Sequence, residues 1–211
     1  EEDFGVAGLA GDPAFPPGKG PPLPPPPLAP MGHRVAKAHN ELGWHWWPGP
    51  NAIATRPYKN LHQCTQRATC MWGCVGGAKG SVDRTHWPDN VSLGVQLITG
   101  ARVRRLQVNR RCLVTGAEYV DRDGREHFQG ADVTILGASG IGTPRLLLLS
   151  ATINFPDGLA NSSGLVGKRL MMHPFGTVVG LFDEDLGSTH GVWGQHLHCL
   201  EFYETDARRG F

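Results

Sequence analysis

The sequence predicts an α/β (α+β) fold, and three observations carry that prediction. Between residues 131 and 150 (ADVTILGASGIGTPRLLLLS) an apolar run passes through a glycine-rich turn into a leucine-rich segment. Ahead of it, from 94 to 136, short β-forming runs alternate with turn residues. Behind it, β-prone text returns at 177–182 and 195–203. Helix signals and strand signals thus alternate along one chain, as they do when a sheet is covered by helices.

In chain order, residues 4–30 are dominated by proline and glycine, which rule out a helix interior or a central strand and predict extended, polyproline-like backbone. A loop wrapping the surface of a domain is the simpler reading, and a ligand for a proline-recognition domain is the alternative. Val35, Ala38 and Leu42 share one face of a short helix over 35–42, which Gly43 ends. The dense Trp44-His45-Trp46-Trp47 is read as a packed aromatic cluster anchoring a loop, against a cleft or partner surface.

Three of the five cysteines then fall close together. Cys64, Cys70 and Cys74 are spaced C-x5-C-x3-C, which brings three soft ligands into one loop, and such ligands suit an iron–sulfur cluster or zinc. Tetrahedral zinc needs a fourth ligand, which His62 can supply. Plain buried thiols, or a disulfide in an oxidising compartment, are the competing reading. Cys112 and Cys199 lie far off in sequence and read as ordinary thiols. The Gly-Gly-Ala-Lys-Gly-Ser run at 76–81 has no apolar strand before it and no serine or threonine directly after the lysine, so it is not read as a phosphate loop.

From 94 onward the runs 95–98, 101–108, 113–120 and 128–136 predict strands, separated by the turn compositions Asn109-Arg110-Arg111 and 121–124. Val103, Leu106 and Val108 alternate only imperfectly, which leaves the facing of their strand open. Val133, Ile135 and Leu136 are β-formers on a run too short for a buried helix. Gly137, Gly140 and Gly142 then let the backbone turn and let something approach it closely. Thr143-Pro144 predicts a helix start, with threonine capping and proline tolerated in the first turn, and Leu146 to Leu149 give that helix an apolar face. A strand running through glycines into a helix N-terminus can seat a phosphate. The spacing here is G-x-x-G-x-G, not the dinucleotide fingerprint G-x-G-x-x-G, so on pattern alone a tight turn without a ligand is the simpler reading. His173 precedes a proline and sits in extended backbone as a structural residue. His196 and His198 would share one strand face, with no third ligand at metal spacing.

The 20 basic and 19 acidic side chains leave a net charge of +1, which gives no electrostatic footing for nucleic acid or an anionic membrane as partner. No apolar run is long enough to span a bilayer, and localisation stays open.

Residues 140–150 (GIGTPRLLLLS) resemble the second conserved segment of the glucose-methanol-choline (GMC) family of FAD-dependent oxidoreductases. Residues 161–174 (NSSGLVGKRLMMHP) are similar to the segment that follows it, and Thr99-Gly100-Ala101-Arg102-Val103 to a strand that offers backbone to the flavin's adenine. The turn departs from the commonest family form, having Gly137-Ala138-Ser139-Gly140 where alanine, alanine, glycine, alanine is usual. The resemblance implies FAD as cofactor, with the backbone of Val103 at the adenine and Gly137, Ala138, Gly140, Gly142 and Thr143 near the nucleotide. It also implies oxidation of a CH–OH group of an alcohol, sugar or polyol, with hydride passing to flavin, and a catalytic base in a later segment of such proteins. One subset of the family holds a three-iron cluster on three cysteines spaced like Cys64, Cys70 and Cys74, and passes electrons to a cytochrome. A quinone or oxygen is the acceptor otherwise.

The chain is therefore expected to be an internal fragment of a flavoenzyme, inactive alone. It would comprise a proline-rich and cysteine-bearing substrate-side segment (1–90), part of an FAD-binding domain with a parallel core sheet and a β-meander (91–175), and the start of a substrate-domain sheet (176–211). Two other readings compete, a metal-binding electron-transfer or structural module and a non-catalytic proline-rich interaction segment.

Overall fold

The computed structural model describes residues 1–187, 189–192, 197–204, 207 and 208. The chain forms two units, Leu97–Val178 as one and Glu1–Gln96 with Val179–Phe211 as the other.

In the Leu97–Val178 unit, with elements numbered in chain order, β2 (Arg102–Val108), β3 (Val114–Val120) and β4 (Glu126–Gly130) form an antiparallel meander in the order β2-β3-β4. Both turns are built by their polar residues. Asn109 Oδ1 accepts the amides of Arg111 and Leu113, and Asp121 Oδ1 accepts those of Asp123 and Arg125. The pairing of β2 with β3 shifts register between Val103 and Arg105 and again between Gln107 and Val108, which explains the imperfect alternation of the sequence. Leu106 faces inward, 2% exposed, and packs with Leu146 and Leu159, so the leucine-rich helix α4 (Ser139–Leu149) lies against the edge strand β2.

Three expectations for this unit are corrected. The helix begins at Ser139 rather than at Thr143-Pro144, with Pro144 inside it. Proline has no amide hydrogen and crowds the carbonyl four residues back, which here belongs to Gly140 in the first turn, where the lost bond is least costly. The strand expected over 128–136 ends at Gly130. No parallel core sheet forms among the described residues, and residues 133–136 join no strand, with Val133 78% and Ile135 89% exposed. A parallel strand needs a neighbour delivered by a separate crossover, and the described residues hold none. The α+β class stands on the meander and its helix. Residues 95–98 and 177–182 likewise form no strand.

In the other unit, α1 (Pro30–Leu42) starts earlier than its apolar periodicity indicated, because Pro30 stands at the first helical position. Gly43 ends it at φ 70°, returning its amide to Asn40 and His39. The two-residue strands β1 (Trp47–Pro48) and β5 (Leu197–His198) pair antiparallel, so the strand expected over 195–203 is reduced to its described core, with His196 outside the described residues. Two short helices, α2 (Val82–Thr85) and α3 (Trp87–Ser92), follow the cysteine loop.

The proline-rich segment is part of this unit's core. Ala7 and Leu23 are buried with Ala54 and Leu61, Ala7 exchanges amide and carbonyl with Asn51 at 2.7 and 2.9 Å, and the Leu23 amide donates to the Val6 carbonyl at 3.2 Å. That packing overturns the free proline-rich interaction segment, since Leu23 can be released to a partner only by opening a core. The indoles also serve as anchors: Trp44 meets Phe202 edge-on at 4.9 Å, Trp46 donates to Asn40 Oδ1 and Trp47 to the Leu9 carbonyl, both at 2.9 Å.

Candidate functional site

The glycine-rich turn and the first turn of α4 present a backbone surface. Ala138, at the N-cap, makes no side-chain capping bond, so the first amides of the helix are left to solvent or a ligand. A Cβ built on Gly137 or Gly140 would meet nothing within 4 Å, whereas one on Gly142 would come within 3.1 Å of the Ala138 side chain. Gly137 and Gly140 therefore leave the backbone of the turn open to approach, and Gly142 serves the packing of the turn. The left-handed residue is Ser139, at φ 66°, and none of the three glycines has a positive φ. The glycines are thus explained by access rather than by turning. Thr143 is half-buried in the helix. Beside the turn, the Thr134 hydroxyl is buried without a hydrogen-bond partner.

Val103 lies at the other end of this layer. Its side chain is 41% exposed, its strand is the sheet edge, and it lines a cavity of about 780 Å³ that also receives Arg102, Tyr119, His127 and Arg145. The glycine turn is not on that cavity's wall, so the two groups of expected nucleotide contacts are tied to one helix and strand without sharing a cavity. The tie is polar: the Leu106 amide donates to Ser150 Oγ at 2.9 Å, at the C-terminal end of α4.

The cavity's charge was not legible in the sequence. Arg104 pairs with Glu126 at 3.2 Å and Arg105 with Glu118 at 3.8 Å, while among the described residues neither Arg102 nor Arg145 has a carboxylate partner. Tyr119 and His127 stack at 5.0 Å and 16°. His127 Nε2 in turn stands 2.8 Å from Asp121 Oδ2, and that hydrogen bond, with the Arg125 amide, holds the Asp121 carboxyl below its ordinary range. Two unpaired guanidiniums, an edge-strand backbone and a ring pair suit a phosphate-bearing aromatic ligand. Together with the open glycines and the uncapped helix, they fit an adenine dinucleotide.

The three cysteines converge on one small core. Cys64, Cys70 and Cys74 are half-buried free thiols packed against Ile53, Ala78 and Val192. The Gln66 amide lies 3.3 Å from Cys64 Sγ, the Ala78 amide 3.2 Å from Cys74 Sγ, and Lys79 Nζ 3.1 Å from the Cys70 carbonyl. Burial pushes the Cys64 thiol up from its ordinary pKa. His62 is exposed, and its backbone amide bonds to the Gly77 carbonyl. Among the described residues no group of three or more His, Cys, Asp or Glu side chains is placed to hold a metal ion. As arranged, the thiols do not fit a three-iron cluster or zinc. Cys112, at φ 62° in the β2–β3 turn, and Cys199 are free thiols, as expected. No helix among the described residues is long and apolar enough to cross a membrane.

Comparison with known proteins bears on the same residues. A family model described as GMC oxidoreductase matches residues 29–175. The chain is 41% identical over 214 residues to a 2-methyl-1,2-propanediol dehydrogenase of Mycolicibacterium austroafricanum, covering 99% of this chain and 38% of that protein. It is 35% identical over 136 residues to the fructose dehydrogenase large subunit of Gluconobacter japonicus, covering 64% of this chain and 25% of the relative. It is 31% identical over 181 residues to the paromamine 6'-oxidase of Streptomyces fradiae, covering 84% of this chain and 33% of the relative. The chain thus spans well under half the length of each of these relatives.

Proposed function

The chain belongs to the GMC oxidoreductase family, and on that premise we propose that it is part of an FAD-dependent enzyme oxidising a CH–OH group of a small alcohol or sugar. The observation that carries the reading is the open, uncapped glycine turn on a helix packed against an edge strand, inside the stretch matched by the family model.

In this reading residues 91–175 belong to the FAD-binding domain, and residues 1–90 and 176–211 lie on the substrate side. Gly137, Ala138, Gly140, Gly142 and Thr143 line the approach to the nucleotide, where backbone amides at the start of α4 receive phosphate oxygens. The Val103 backbone meets the adenine, and Arg102 and Arg145 offset the ligand's negative charge. The bound flavin would supply hydride acceptance from the substrate carbon. The residues of this chain bind and orient; the base that takes the hydroxyl proton belongs to a later segment of such enzymes.

The substrate class rests on the names of relatives that act on a diol, a sugar and an aminosugar. For the acceptor, a dehydrogenase large subunit among the relatives favours a cytochrome or quinone partner over oxygen, and an oxidase among them favours the reverse. A three-iron cluster on Cys64, Cys70 and Cys74 has their shared packing on its side and their present arrangement against it.

An absorption spectrum of the full-length protein, with iron and zinc analysis, tests the whole reading. Flavin bands that bleach on adding 2-methyl-1,2-propanediol or a sugar establish the oxidoreductase. Stoichiometric iron lost in Cys70→Ser would establish the cluster, and a colourless, flavin-free protein would refute the proposal.

A further inference from the structure

Residues 9–22 leave the body of their unit and return to it at one neck. At the neck the Gly8 amide donates to the Leu23 carbonyl at 3.0 Å, and the Leu23 amide to the Val6 carbonyl at 3.2 Å. The two ends touch, since a Cβ built on Gly20 would stand 2.6 Å from the Cβ of Ala10. Among the described residues, no main-chain group between 10 and 22 bonds outside the loop. This is the construction of an Ω-loop, closed at its base and held to the body by its side chains and by the Trp47 indole, which donates to the Leu9 carbonyl at 2.9 Å.

The loop itself forms most of the wall of a cavity of about 680 Å³, which Trp47, Pro48 and His198 from β1 and β5 help to complete. The contact that holds the loop to these strands is a buried carboxylate. Asp12, its side chain 4% exposed, faces His198 Nε2 at 2.8 Å and His45 Nε2 at 3.1 Å. Phe15 adds an edge-on contact to the His198 ring at 5.6 Å, and Lys19 pairs with Glu2 at the surface. Gly11, next to Asp12, has φ 89°, a backbone conformation that favours glycine, and nothing within 4 Å of where its Cβ would be.

We propose that residues 9–22 are a hinged flap on β1 and β5, pivoting at the Val6–Leu23 neck and latched by Asp12 against His198 and His45. The flap moves as a piece because its two ends are already joined, so opening costs the latch, the Phe15 contact and the Trp47–Leu9 bond but leaves the neck bonds and the Ala7–Leu23 core in place. This device is independent of flavin binding.

Hydrogen exchange on the full-length protein tests it, comparing wild type with Asp12→Asn and with His45→Gln. Asparagine keeps the shape but loses the charge that strengthens both imidazole contacts, and the partly exposed His45 is removed with little risk to the core. Exchange of the Trp47 indole N–H, which donates to the Leu9 carbonyl across the gap, should rise about tenfold or more in Asp12→Asn and less in His45→Gln, while the Gly8 and Leu23 amides stay as slow as in wild type. Equal acceleration at Gly8 and Leu23 would show that Asp12 holds the fold rather than a flap. Unchanged exchange at the indole would show that it latches nothing.

Discussion

The Leu106 amide donates to the hydroxyl of Ser150 at 2.9 Å, and that hydroxyl donates onward to the Leu146 carbonyl at 2.7 Å. Ser150 is wholly buried, so one side chain fastens the C-terminal end of α4 to the edge strand that carries Val103. That bond, with the Leu106–Leu146 packing, ties together the two groups of residues proposed to meet the nucleotide.

Ser150→Ala should therefore destabilise the full-length protein by about 1–3 kcal/mol, because the Leu106 amide is left buried without an acceptor. Denaturant unfolding measures it. FAD should also be lost more readily, and a variant as stable as wild type would mean that water replaces the hydroxyl.

Gly137→Val and Gly140→Val place side chains in open space and leave the fold intact, yet they fill the approach proposed for the nucleotide. FAD content of the purified variants should fall by about tenfold or more with an unchanged circular dichroism spectrum. Gly158→Ala is the contrasting case. Its φ is 98° and its Cβ would stand 2.8 Å from the Leu148 Cα, so it should lower stability without selecting against FAD.

Acid should release Asp12. Burial raises its pKa, but the Ala14 amide and the His198 and His45 contacts outweigh that and hold the carboxyl below its usual value. A carboxyl depressed in the folded state adds stability that is present above the unfolded pKa of 3.8 and is lost as pH falls through the folded value. Wild type should lose stability below pH 3.8 more steeply than Asp12→Asn, as acid titrations followed by tryptophan emission would reveal.

Thiol alkylation should rank the cysteines by exposure and charge. Cys112 is exposed and should react first with iodoacetamide at neutral pH, whereas Cys64, half-buried and with its thiol pushed up by that burial, should react last and gain rate only as pH rises. Mass spectrometry of tryptic peptides gives the order. A fast Cys64 would contradict the packed arrangement of the loop.

What the sequence determined by itself is local. Proline and glycine placed the loops, Gly43 ended α1, Asn109 and Asp121 built their turns, and the 140–150 motif with its neighbours pointed to the family. These signals are short-range, since each acts through a residue's own backbone or a partner a few positions away. Tertiary structure alone decided the rest. The start of α4 at Ser139, the pairing of β1 with β5 and the exposure of Val133 and Ile135 depend on which neighbours are present to accept a strand or a helix face. The meeting of Asp12 with His198 spans 186 positions, and the convergence of Arg102 and Arg145 on one cavity joins a strand to a helix. No local periodicity encodes such pairs, because the energy that brings them together is that of the whole packed unit, which the chain reaches only once its loops have closed.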